Sequence, residues 1–128
     1  MSFNLGAALA RVRERIRSHG PKALLLPHDN PDPDSLAAAL GLAMILEREG
    51  MECTIGMAGI IGRAENRAMV RELRFDLKPL ENLDLASFGL VALLDTQPGT
   101  GNNSLPVSRL PDIVVDHHPQ RPLSREVP

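Results

Sequence analysis

The sequence predicts an α/β domain with three layers, α/β/α, built around a mainly parallel sheet. Three observations carry this prediction. Helix-like and strand-like segments alternate along the chain. The strand candidates have continuous apolar centres, as parallel strands covered on both faces do. Three of them also run directly into clusters of side chains that ligate metals, and a parallel sheet gathers such strand ends on one edge. With 128 residues, 43% of them hydrophobic, the chain can bury one sizeable core, so residues 1–128 read as one domain.

Leu5, Leu9, Val12 and Ile16 fall at helical spacing, with Arg11, Glu14, Arg15 and Arg17 on other faces. This predicts an amphipathic helix from about Phe3 to Ser18, stopped by Gly20-Pro21, whose charged side is solvated. Lys22 to Pro27 reads as a short buried strand. Pro33 to Glu49 reads as a helix whose first three turns are apolar nearly all round, which predicts burial, with Gly50 as its cap. Glu52 to Met57 is a second strand. Gly56, Gly59 and Gly62 follow, at a spacing that matches neither a Walker loop nor a dinucleotide fingerprint.

From Arg63 to Arg74 a further helix is expected, with Arg63, Arg67, Arg71 and Arg74 on one solvated stripe and Met69 and Leu73 opposite. Asp76 to Leu85 suggests a short strand and a turn around Pro79. Gly89 to Leu94 is a clear apolar strand. A Gly- and Asn-rich loop follows, in which Asn102 and Asn103 read equally as a turn or as substrate contacts. The last strand is Ile113 to Val115, after which the chain is polar.

Composition excludes several classes. No apolar run approaches the roughly 20 residues of a bilayer helix, and the first residues lack the apolar core of a signal peptide; no membrane partner and a cytoplasmic location are expected. The formal net charge of -2 does not call for a polyanion. Phe3, Phe75 and Phe88 are too few rings for a platform on which single strands stack. Cys53, the single cysteine, sits among apolar neighbours and reads as a buried, inert thiol.

Chemistry concentrates at the three strand ends. Leu26 leads into His28-Asp29-Asn30-Pro31-Asp32-Pro33-Asp34-Ser35, Leu94 into Asp95-Thr96-Gln97-Pro98, and Val115 into Asp116-His117-His118-Pro119. Taken alone, Asp32 is an N-cap for a helix starting at Pro33, with Asp34 complementing the helix dipole. Gathered on one sheet edge, however, these carboxylates repel one another unless cations neutralise them. Mixed carboxylate and imidazole donors without cysteine suit Mn²⁺, Fe²⁺, Co²⁺ or Zn²⁺. Two such ions about 3.5 to 4 Å apart are a common device for hydrolysing phosphate esters.

These three motifs, in this order over about ninety residues, resemble the first three motifs of the DHH phosphoesterase superfamily. That group includes RecJ exonucleases, nanoRNases, cyclic-dinucleotide phosphodiesterases and family II pyrophosphatases. Asp95-Thr96-Gln97-Pro98 is more similar to the RecJ and nanoRNase branch. The resemblance implies a dinuclear Mn²⁺ site, with Mg²⁺ or Co²⁺ as substitutes. His28 and Asp32 would hold one ion and Asp34 and His117 the other, with Asp95 bridging. His118 would lie nearest the substrate, as phosphate ligand or general acid, and Asp116 would orient a histidine. Asp29 is expected to be a solvated turn residue.

The implied activity is hydrolysis of phosphodiester bonds in a short oligonucleotide or cyclic dinucleotide by a metal-activated water. A pyrophosphatase or polyphosphatase of the same superfamily is one alternative, and a non-catalytic nucleotide-binding regulatory module another. The superfamily's fourth motif and C-terminal substrate domain do not fit before Pro128, so the resemblance implies the N-terminal portion of a longer catalytic domain. The open edge of such a sheet favours association into a homo-oligomer.

Overall fold

The computed structural model describes residues 2–128. Its helices are α1 (Leu5–His19), α2 (Pro33–Arg48) and α3 (Ala64–Glu72), and its strands are β1 (Lys22–Pro27), β2 (Glu52–Met57), β3 (Leu77–Pro79), β4 (Leu90–Leu94) and β5 (Ile113–Val115). Short 3-10 turns at Leu80–Asn82, Leu85–Ser87 and Pro122–Glu126 complete the set. The strands form a single sheet of order β3-β2-β1-β4-β5, and every neighbouring pair is parallel. This is the expected α/β architecture. No described helix is long and apolar enough to cross a membrane.

Alternation along the strands divides the core in two. Ala23 and Leu25 of β1 and Leu90, Ala92 and Leu94 of β4 pack against Val12 of α1 and Ala39, Ala43 and Leu46 of α2. On the opposite face Leu24, Leu26, Val91 and Leu93 meet Phe88, Leu105, Leu80, Leu83 and Leu85. The second layer is therefore helical only in its 3-10 turns, because the apolar residues from Leu80 to Phe88 follow neither strand nor helix spacing.

The caps explain the element boundaries. The Asn4 side chain accepts from the Ala7 amide at 3.0 Å to begin α1. Asp32 and Ser35 form a capping box at the start of α2. Gly50, at φ +98°, ends α2 in a Schellman motif, its amide on Glu47 O at 3.0 Å and that of Met51 on Leu46 O at 3.1 Å.

Three sequence expectations are corrected. Only one side of α2 meets the sheet, so its burial is one-sided: Leu40, Met44 and Ile45 lie exposed opposite Leu36, Ala39 and Ala43. Arg74 is not on the arginine stripe, because α3 ends at Glu72 and Arg74 turns left-handed at φ 53°. Arg15 is not merely solvated. Its Nε donates to Gly89 O, and its Nη2 lies 3.3 Å from Asp112 Oδ1, tying α1 to the strand entries.

The sheet order reverses between β1 and β4: β2 and β3 extend to one side, β4 and β5 to the other. At such a reversal the connections leave in opposite directions and open a crevice at the C-terminal strand ends. His28 follows β1 there, Asp95 follows β4, and Asp116 follows β5.

Candidate metal centre

His28 is held before anything binds. Its Nδ1–H donates to the Asp29 carbonyl at 2.8 Å, which leaves Nε2 facing Asp32 Oδ2 at 3.5 Å and Asp95 Oδ2 at 3.7 Å. Pinning one ring nitrogen on a carbonyl so that the other presents its lone pair is how ligating histidines are commonly supported. Asp32 does two jobs: its Oδ1 accepts from the Ser35 amide at 2.9 Å, while Oδ2 faces His28. Burial pushes the Asp32 carboxyl upward, but Ser35 and His28 outweigh this and leave it below the usual carboxylate value.

Asp95 sits at the hinge of the site. It adopts the left-handed conformation at φ 59°, which aspartate tolerates but which is strained for a side chain, and its amide donates to Val115 O at 2.8 Å. Its two oxygens divide the space. Oδ2 faces His28, whereas Oδ1 lies 3.1 Å from His117 Nε2 and 4.0 Å from His118 Nδ1.

Donor atoms of His28, Asp32 and Asp95 thus converge within 4.8 Å of one another, as do those of Asp95, Asp116, His117 and His118. Asp95 belongs to both groups. Imidazole nitrogen and carboxylate oxygen with no thiolate suit a first-row divalent ion, so the residues present fit the implied metal. Asp34 is in neither group and lies exposed in the first turn of α2.

The Asp116 side chain is only 3% exposed, and both its oxygens are occupied. Oδ1 accepts from His118 Nδ1 at 2.6 Å and Oδ2 from Gln97 Nε2 at 2.7 Å. Burial pulls this carboxyl upward, yet the Gln97 amide and the His118 ring overcome it and hold it below its ordinary value. The hydrogen bond to Asp116 and its charge, with Asp95 adding, raise His118 above the ordinary histidine value. The His117 and His118 rings lie with centroids 4.2 Å apart, tilted by 36°.

Gln97 and Thr96, which hold this arrangement, carry no signal in the sequence that marks them out. Gln97 Nε2 also donates to Pro119 O at 3.0 Å, and its Oε1 accepts from the Arg121 amide at 2.8 Å and from Ser124 Oγ at 2.7 Å. Thr96 is buried and bonds Asn102 and Asn103, so these asparagines shape the loop around it. Asp29, expected to be solvated, accepts from Ser104 Oγ at 2.8 Å and joins the loops after β1 and β4. Asn30 reaches the loop after β2. Its amide donates to Ala58 O and its Oδ1 accepts from the Ile60 amide, each at 2.9 Å. Cys53 lies away from the site in β2. Burial, with Glu47 nearby, pushes its thiol up to about 11.

Among known proteins, the chain is 40% identical over 97 residues to an uncharacterized protein, MJ1633, of Methanocaldococcus jannaschii. The match takes in 74% of this chain and 20% of that protein, so the chain spans about a fifth of its relative's length. No family model and no solved structure matches the chain.

Proposed function

We propose that this chain carries the catalytic centre of a manganese-dependent phosphoesterase of the DHH kind, cleaving phosphodiester bonds in a short oligonucleotide or cyclic dinucleotide. The observation that carries this reading is Asp95. Its two oxygens face two separate groups of nitrogen and oxygen donors, the arrangement a bridging carboxylate between two ions requires. His28, Asp32 and Asp95 would hold one ion. Asp95 and His117 would hold the other, with Asp34 the further carboxylate that the resemblance assigns there. The chemistry supplied by a bound ion pair is acidification of a water and stabilisation of charge on the phosphoryl oxygens.

The chain's own residues supply the rest. Asp116 is buried and each of its oxygens already accepts a hydrogen bond, one of them from His118, so it acts through that ring as a positioning residue. It fixes the His118 ring through Nδ1 and, by hydrogen bond and charge, raises its pKa, so that Nε2–H of the imidazolium would donate toward the leaving-group oxygen. His118 lines a cavity of about 560 Å³ together with Thr96, Thr100, Asn102 and Arg121. A space of this size matches a small nucleotide-type substrate. A single free thiol and the lack of a membrane-spanning helix among the described residues accord with work in the cytoplasm.

The test is Mn²⁺-dependent release of AMP from pApA, the 5′-phosphorylated diadenylate, beside release of phosphate from pyrophosphate. We expect cleavage of pApA, and in Asp95→Ala a fall to the rate without enzyme. Activity on pyrophosphate alone would replace this reading with a pyrophosphatase. No metal-stimulated hydrolysis of either compound, with nucleotide binding intact in Asp95→Ala, would replace it with a binding module.

A further inference from the structure

The cavity beside His118 does not end at the metal centre. A second space of about 330 Å³, lined by Pro98, Gly99, Thr100, Arg121, Pro122 and Leu123, shares Thr100, Arg121 and Pro122 with the first. The two spaces are neighbours across these three residues, and the second is lined by none of the metal-centre side chains. The first carries polar groups and the second is walled by Pro98, Pro122 and Leu123.

Arg121 stands at the junction. Apart from His118 it is the one cationic side chain lining either space. It has no carboxylate partner among the described residues. An exposed, unpaired guanidinium beside a centre dense in carboxylates has its planar donors free for an anion, and its fork matches the oxygens of a phosphate.

Its backbone is tied to the metal centre. The Arg121 amide donates to Gln97 Oε1 at 2.8 Å, while Nε2 of the same buried side chain donates to Asp116, the carboxylate that holds His118. One glutamine amide therefore ties the backbone that carries Arg121 to the carboxylate that holds the His118 imidazole. Apart from the His118 imidazole no aromatic ring lines either space, so recognition beside Arg121 depends on charge and on the apolar faces of proline and leucine rather than on base stacking.

The geometry points to a second phosphate subsite. Arg121 binds the phosphate next along the substrate from the one being cleaved, so the site selects substrates with two phosphates separated by a nucleoside over those with one. This rests on the phosphoesterase reading of the metal centre. It goes beyond that reading by assigning the specificity to Arg121 and to the space after Pro119.

The test is binding of AMP and of a pApA analogue with a non-hydrolysable linkage at the cleaved phosphate, in Mn²⁺ at low ionic strength, to the wild-type chain, Arg121→Gln, Arg121→Lys and Arg125→Gln. Arg125 lines neither space, so Arg125→Gln reports on loss of any nearby charge. The expected result is a loss of tenfold or more in affinity for the analogue in Arg121→Gln, a smaller loss for AMP, partial retention in Arg121→Lys, and wild-type binding in Arg125→Gln. No binding of the analogue by the wild type, equal losses for the analogue and AMP, or equal effects of the two glutamine variants would each overturn the inference. Mn²⁺-dependent cleavage of pApA is followed in parallel. If it is absent while binding depends on Arg121, the phosphoesterase reading fails and the phosphate subsite stands.

Discussion

Asp116 and His118 form the tightest ion pair near the centre, and their shifts have opposite signs. His118 is raised above its ordinary 6.5 by the carboxylate it bonds, and Asp116 is lowered because Gln97 and His118 outweigh its burial. The pair's contribution to stability is thus complete between the ordinary values of 3.8 for the carboxyl and 6.5 for the imidazole. It is lost as pH rises from 6.5 through the folded-state value of His118 and as pH falls from 3.8 through that of Asp116. In metal-free protein, an NMR titration of His118 will show a midpoint above 6.5 that moves down toward that value in Asp116→Asn; an unmoved midpoint would mean that Asp116 does not set the proton on this ring. Under turnover the same substitution should lower the rate about 10- to 100-fold, the usual effect of removing a supporting partner. The types and order of the donors were legible in the sequence because each follows an apolar strand. Gln97 was not, since a glutamine before a proline reads as part of a turn and its side-chain partners lie 19 to 27 residues later.

At the scale of elements, loops tied to one another hold the strand ends in register. Asn30 and Gly59 form one of these contacts. Gly59 is at φ +81°, and a Cβ there would collide with the Asn30 side chain and lie 3.0 Å from its amide nitrogen. Gly59→Ala combines a strained backbone with a clash and disrupts the hydrogen bonds from the Asn30 amide to Ala58 O and from the Ile60 amide to Asn30 Oδ1. We expect a loss of about 1–3 kcal/mol in urea unfolding. Gly62→Ala, with nothing within 4 Å, should stay within about 0.5 kcal/mol of the wild type. Equal effects at the two positions would show that the contact between these loops is not what Gly59 serves. Most of the fold was readable from such local signals: β1 and β4 as unbroken apolar runs, α2 from Asp32, Pro33 and Gly50. The segment from Leu80 to Phe88 was not, because its leucines serve the sheet's second face from 3-10 turns and so lack a helical or strand period. The one-sided burial of α2 was hidden for a related reason, since apolar residues on both faces do not reveal which face meets the sheet.

For the whole molecule, stability and the metal centre pull in opposite directions. The domain places Asp32, Asp95 and Asp116 on one sheet edge, with Asp95 within 4.8 Å of a donor atom of each of the others, and holds Asp95 itself in a left-handed conformation. Carboxylates gathered this closely repel one another unless a cation neutralises them. A specifically bound divalent ion at a hundredfold excess over Kd should stabilise the fold by about 2.7 kcal/mol, a rise in Tm on the order of 10 °C for a chain of this size. Asp95→Asn separates the two effects. Asparagine tolerates the same left-handed backbone while relieving the repulsion, so the metal-free variant should be more stable than the wild type by about 1 kcal/mol. The same variant should lose most of the rise in Tm with Mn²⁺, because the carboxylate facing both donor groups is gone. Thermal unfolding of both proteins in EDTA and in Mn²⁺ gives the comparison. A wild-type Tm unaffected by Mn²⁺, together with a metal-free Asp95→Asn that is less stable than the wild type, would mean that these carboxylates serve as helix cap and turn rather than as ligands.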